Sequence, residues 1–157
     1  MLTKDLKEFL SAFNAHNVEY LVVGGFAVGV HSEPRATKDL DILIRSSVEN
    51  SNAVFRALAE YGAPLEGHSP ADFRDDPCSV HQIGLPPNRI DILQQIEGVS
   101  FDEAWEGRVE GMVEGEVPAH VISREHLIRN KLEVGRSRDL ADVEALRDAA
   151  SEGTAKD

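Results

Sequence analysis

The chain is poor in the features that direct a protein to a membrane, an oxidising compartment or a polyanion. A single cysteine, Cys78, in 157 residues excludes an internal disulfide and suits a reducing compartment. No apolar run approaches the ~18–20 residues that cross a bilayer. The opening residues, Met1 to Glu8, alternate charged and apolar side chains, unlike a signal peptide. A cytoplasmic protein with no membrane partner is therefore expected. Positive charge is scarce: 16 Lys plus Arg stand against 28 Asp plus Glu, a net charge of −12. Tight polyanion binding neutralises several phosphates with basic side chains, so nucleic acid is expected only as a substrate held at a local site. The histidines, among them His31, His68 and His81, show no metal-ligand spacing. A nucleophile elbow and a P-loop are also missing. These absences argue against structural zinc, serine acyl transfer and P-loop chemistry.

What is present is ordinary globular material, 41% hydrophobic and 28% charged, enough for one core. The reading is a single domain over residues 1–150, followed by a polar tail, 151–157, expected to be disordered. Leu2, Leu6, Phe9, Leu10 and Phe13 recur at helical spacing. Glu19 to Val23 reads as a buried strand stopped at Gly24-Gly25, and Phe26 to Val30 as a short helix. Pro34 breaks the polar connection that follows. Asp39 to Ile44 reads as a strand, Val48 to Tyr61 as an amphipathic helix, and 62–78 as an irregular excursion marked by Pro64, Pro70 and Pro77. Strands over 79–85 and 89–93 form a hairpin, and weaker strands follow over 108–113 and 117–122. Trp105 is expected to plug the core. Ser123 caps a helix that ends at Gly135, and a last helix covers about 137–150, with Leu140, Val143 and Leu146 facing inward. The order gives an α/β (α+β) domain with a small mixed β-sheet flanked by helices.

Chemistry concentrates at three aspartates. Asp39 and Asp41 are two apart on a strand, so their side chains leave the same face. Paired carboxylates repel unless a cation sits between them, and hard divalent ions such as magnesium take oxygen ligands together with substrate phosphates. Asp91, between two isoleucines on another strand, supplies a third carboxylate if that strand is a neighbour. Three such groups can hold two metal ions for in-line nucleotidyl displacement, with Asp91 also favouring deprotonation of the attacking hydroxyl. Gly24-Gly25, between a strand and a helix, leaves room for backbone N–H groups to approach a triphosphate. Taken as helical residues alone, Lys131 and Arg138 read as a solvated face, with Arg138 paired to Asp142.

Val23-Gly24-Gly25, thirteen residues, then Asp39-Leu40-Asp41-Ile42 resembles the signature of the DNA polymerase β-like nucleotidyltransferase superfamily. Asp91 in Arg-Ile-Asp-Ile-Leu falls where that superfamily carries its third carboxylate. Arg35-X-Thr37-X-Asp39 resembles the version in the small abortive-infection-toxin-like branch, as does the helical stretch from Leu127 to Val143. The resemblance implies a nucleotidyltransferase fold and magnesium-dependent transfer of a nucleoside monophosphate, from a triphosphate such as ATP, to an acceptor hydroxyl. Asp39, Asp41 and Asp91 are then the catalytic and metal-holding residues. Gly24, Gly25, Arg35, Thr37, Lys131 and Arg138 face the nucleotide, with Asp139 and Asp142 supporting the pocket. The acceptor stays open among small molecule, protein side chain and tRNA end, and the toxin-like branch implies a cognate antitoxin partner. The alternative class is a non-catalytic nucleotide-binding or regulatory module of the same fold. Where the superfamily often has Gly-Ser in the turn, this chain has Gly24-Gly25, which removes one hydroxyl from the phosphate site.

Overall fold

The computed structural model describes residues 4–33, 39–85, 88–113 and 115–156, with side chains described through Ser151. Its elements are α1 (Lys4–Ala15), β1 (Tyr20–Val23), α2 (Gly24–His31), β2 (Leu40–Ile44), α3 (Val48–Tyr61), a 3-10 turn (Pro70–Phe73), β3 (Val80–Ile83), β4 (Ile90–Leu93), α4 (Phe101–Glu106), β5 (Val109–Val113), β6 (Val117–Val121), α5 (Arg124–Val134) and α6 (Ser137–Lys156). The strands form one six-stranded sheet in the order β3-β4-β2-β1-β6-β5. The pairs β2–β4 and β1–β6 are parallel and the other three are antiparallel, so the sheet is mixed as expected.

Every residue of β1 is buried, so the sheet's centre is covered on both faces. Leu6, Phe9, Leu10 and Phe13 of α1 pack with Val54 and Leu58 of α3 in one continuous core. α2 packs against β1, β2, α5 and α6. Asn50 joins the α3 side of the core to the sheet. Its Oδ1 accepts from the Glu19 backbone N–H at 2.8 Å, while its Nδ2 donates to the Arg45 and Glu19 carbonyls at 2.8 and 3.0 Å. A buried amide satisfied on both ends ties the start of β1 to the end of β2.

Four expectations need correction. α2 begins at Gly24 itself, because neither glycine obstructs helical backbone once Gly24 has made the left-handed turn, at φ 67°. Leu140 is 47% exposed, while Val143 and Leu146 carry the buried stripe of α6. The same helix, expected to end at about Ala150, runs to Lys156. The polar run 151–156 holds no proline to stop it, and Gly153 alone has strongly unfavourable helix propensity. Trp105 is half-buried rather than a core plug. It stacks on Phe101 with ring centroids 5.7 Å apart and carries the Arg108 guanidinium 3.8 Å above its ring. No helix among the described residues is long and apolar enough to cross a membrane.

Candidate active site

The site is built where β1 ends and β2 and β4 begin. Antiparallel pairing sets Val23 opposite Asp41, and parallel pairing sets Asp41 opposite Asp91. Register partners on neighbouring parallel strands point the same way, so Asp41 and Asp91 leave the same face, and Asp39, two residues before Asp41, joins them. All three line one cavity of about 840 Å³, together with Gly24, Gly25, Lys131 and Arg138. The structure thus brings together the aspartates, the glycine turn and the two helical cations expected from the sequence. Arg35 and Thr37 lie outside the described residues.

Gly24 has a more specific reason to be glycine than phosphate access. A Cβ built on it lies 2.2 Å from Asp41 Oδ2, well inside contact distance. Its positive φ disfavours a side chain as well. The turn leaves the chain free to pass directly over the carboxylate. Gly24 is itself the first residue of α2, and the N-cap before it, Val23, supplies no side-chain cap. Unbonded N–H groups at a helix start favour an anion.

Electrostatics separate the three acids. Burial, then Asp91, then Asp39 push the Asp41 carboxyl up to about 6, against the pull of Lys131 and Arg89. Asp91 is 9% exposed and is gripped by Arg89, whose Nε donates to Oδ1 at 2.9 Å and Nη2 to Oδ2 at 3.2 Å. Arg89 Nη2 also lies 3.3 Å from Asp39 Oδ2. One guanidinium therefore stands across two of the three carboxylates. Among the described residues, no three His, Cys, Asp or Glu side chains are gathered into a ready metal cage. Like charges do not close up without a cation, and here Arg89 is that cation for Asp39 and Asp91. The donor set is all oxygen, anionic and mutually repelling, which fits a hard divalent ion that completes its shell with phosphate and water. Arg89 was missed in the sequence reading, although an arginine two residues before an aspartate on a strand shares its face.

Across the cavity, Lys131 is not on a solvated face: its side chain is 12% exposed. Its Nζ lies 3.0 Å from Asp142 Oδ2 and 3.4 Å from Asp139 Oδ1. Arg136 Nε donates to Asp139 Oδ2 at 2.6 Å, and Gly135, in the left-handed conformation, turns α5 into α6 to make this possible. The Arg136 hydrogen bond, followed by Lys131, holds the Asp139 carboxyl below its ordinary value despite burial. Arg138, next to Asp139 on the first turn of α6, is exposed and lines the cavity.

A glycine turn beside three strand-borne carboxylates on a small mixed sheet defines a nucleotidyltransferase-type domain. The chain belongs to the family described as nucleotidyltransferases of unknown function (DUF6036), whose model matches residues 1–148. Comparison with curated proteins gives no match. Among solved structures, the lincosamide antibiotic adenylyltransferase LnuA with lincomycin bound superposes with a TM-score of 0.60 at 20% identity, covering 94% of this chain and 97% of that one. ANT(2″)-Ia in complex with adenylyl-2″-tobramycin gives 0.61 at 16% identity, covering 95% and 88%. The protein TM1012 from Thermotoga maritima gives 0.56 at 18%, covering 94% and 91%. At these identities the likeness speaks for the fold.

Proposed function

We propose that this site transfers a nucleoside monophosphate from a nucleoside triphosphate to the hydroxyl of a small-molecule acceptor, with magnesium as the metal. The observation that carries the reading is the in-register pair Asp41–Asp91 across parallel strands, with Asp39 on the same face and Gly24 directly above. Asp39, Asp41 and Asp91 would hold the magnesium, with oxygens enough for two ions. When bound, the metal neutralises charge on the triphosphate around the reacting phosphorus. Gly24 and Gly25 offer backbone N–H groups at the start of α2, and Lys131 and Arg138 face the phosphates from the other wall. Lys131 is pinned by Asp139 and Asp142, so it is aimed before the nucleotide arrives.

Asp91 takes the proton of the acceptor hydroxyl, and Arg89 keeps that carboxylate turned toward the cavity. The hydroxyl oxygen forms a bond to the α-phosphorus. The bond from the α-phosphorus to the bridging oxygen breaks, and pyrophosphate leaves with the electron pair. Positioning and charge compensation supply the catalysis, as in other phosphoryl transfers. A small-molecule acceptor is favoured over RNA by the net charge of −12 and by the antibiotic-modifying neighbours.

The test is incubation with each labelled nucleoside triphosphate, magnesium and a panel of hydroxyl acceptors. Label transfer by the wild type and not by Asp41→Ala supports the reading. Magnesium-dependent nucleotide binding without transfer to any acceptor replaces it with a non-catalytic binding module.

A further inference from the structure

The cavity is longer than the phosphate site. Along β4, Leu93 follows Asp91 on the same face, about 7 Å further on, and Gln95 continues the row. The antiparallel register sets Val80 of β3 opposite Leu93 and Gln82 opposite Asp91, so Val80 extends that face sideways. Val134 of α5 also lines the cavity. Val80 and Val134 are 45% and 38% exposed, apolar groups open to a ligand. The far wall is a tight turn closed by the Ile96–Val99 bridge and tied to α5, where Asn130 Nδ2 donates to the Glu97 carbonyl at 2.9 Å. Gly98 passes so close to α5 that an added Cβ would lie 3.0 Å from Glu133 Cβ. This wall is built before any ligand binds.

Arg89 belongs to Asp39 and Asp91, Lys131 to Asp139 and Asp142, and Arg136 to Asp139, with Arg138 beside them. The lining stretches 77–80 and 93–98 hold Glu97 and, among their described lining residues, no lysine or arginine. A phosphate there would meet a carboxylate and no counter-charge. With the Gly24–Gly25 side taken by the triphosphate, an acceptor hydroxyl reaches Asp91 from the Leu93 side.

We propose that the half of the cavity formed by Leu93, Val80, Val134 and the 95–98 turn is the acceptor subsite. Its ligand is a small hydroxyl compound with an apolar face and no phosphate group. The proposal rests on the nucleotidyl-transfer reading of the same site. The probes are hexyl and methyl β-D-glucoside, glucose 6-phosphate and a short RNA with a free 3′ hydroxyl, each incubated with labelled triphosphates and magnesium.

Hexyl glucoside is expected to be labelled with kcat/KM roughly tenfold or more above methyl glucoside, and the two phosphate-bearing probes not at all. Val134→Asp and Val80→Asp each remove the hexyl advantage, while magnesium–nucleotide affinity, followed by fluorescence titration, stays at the wild-type value. Label on glucose 6-phosphate or RNA, or equal use of both glucosides, overturns the proposal. So does no label on any probe while nucleotide still binds, an outcome that leaves the nucleotide site standing. Failure to bind nucleotide overturns the underlying reading as well.

Discussion

The two walls of the cavity carry the same kinds of side chain in opposite balance. On the sheet, Asp39 and Asp91 share one guanidinium, that of Arg89, with Asp41 beside them. On the helices, Asp139 and Asp142 are matched by Lys131 and Arg136. The helical acids are the more deeply buried, at 1% and 6% exposure, yet Asp139 is held firmly ionised, whereas Asp41 is pushed up to about 6. At Asp41 burial comes first and the like charges of Asp91 and Asp39 add to it, whereas at Asp139 the hydrogen bond from Arg136, with Lys131, outweighs burial. The matched cluster is a clamp that fixes the α5–α6 turn. The unmatched one leaves net negative charge facing a cavity, which a metal-bound nucleotide can answer.

Mutations should separate the two walls by their readout. Asp41→Ala removes an unmatched carboxylate and is expected to cut label transfer by on the order of 10³-fold or more, about 4 kcal/mol of transition-state stabilisation, with no loss of folding. A drop below tenfold in initial rate would place the chemistry elsewhere. Lys131→Met does the reverse. It takes the Lys131 ammonium away from the nearly buried Asp142 and Asp139, at a cost of roughly 3 kcal/mol, seen as a fall in urea midpoint. Adding Asp142→Leu to it should restore part of that loss, because one of the two buried carboxylates that Lys131 answered goes too. If the double variant is no better than the single, the clamp account fails.

The contrast also marks what the residues disclosed beforehand. The carboxylate wall was legible because strand alternation fixes direction: two aspartates at i and i+2 must share a face, and a parallel neighbour brings the third alongside. The helical clamp was legible only through its resemblance to a known branch. Its pairs, Lys131 with Asp139 and Asp142, form across the Gly135 turn, and no single-helix spacing rule foresees them. The i,i+4 spacing of Arg138 and Asp142 along α6 says nothing of Lys131, which reaches Asp142 from the other helix. Arg89 was visible as a strand residue, yet its role depends on the β2–β4 register that places Asp39 within its reach. Leu140 was misassigned because α6 packs through a narrower stripe than its apolar spacing suggests.

Gly24 sharpens the comparison from the backbone side. Gly24→Ala forces a Cβ against Asp41 Oδ2 at a positive φ and is expected to cost about 2 kcal/mol of stability, and to lower activity by displacing the carboxylate. A variant with wild-type melting and activity would show that the turn can open freely. A smaller effect, opposite in sign, follows from Asp41 in metal-free protein. Its folded value of about 6 lies above the ordinary 3.8. As pH rises through this interval the unfolded chain releases its proton first, so ionisation destabilises the fold, fully above about pH 6 and not at all below about 3.8. Asp41→Asn should therefore be more stable than wild type by about 1–2 kcal/mol at pH 7.5, after discounting for partial exposure. The gain should vanish near pH 4, where both chains are neutral at this position. A gain that persists at pH 4 would assign it to packing instead.

Arg89 is where the two walls come closest to resembling each other, because it gives the sheet cluster part of the compensation that the helical cluster has in full. Its guanidinium pairs with Asp39 and Asp91, so a divalent ion held by these carboxylates would compete with it for the same oxygens. Arg89→Gln removes the competitor and is expected to raise manganese affinity about two- to fivefold in the absence of nucleotide, the size of one partly exposed ion pair. Arg89→Lys keeps the charge while losing the fork on Asp91, and should leave affinity within about twofold of wild type. Equilibrium titration followed by manganese electron resonance reads both. If Arg89→Gln instead weakens manganese binding, the arginine serves mainly to align Asp91, and the sheet cluster is closer to a preformed clamp than its charge count suggests.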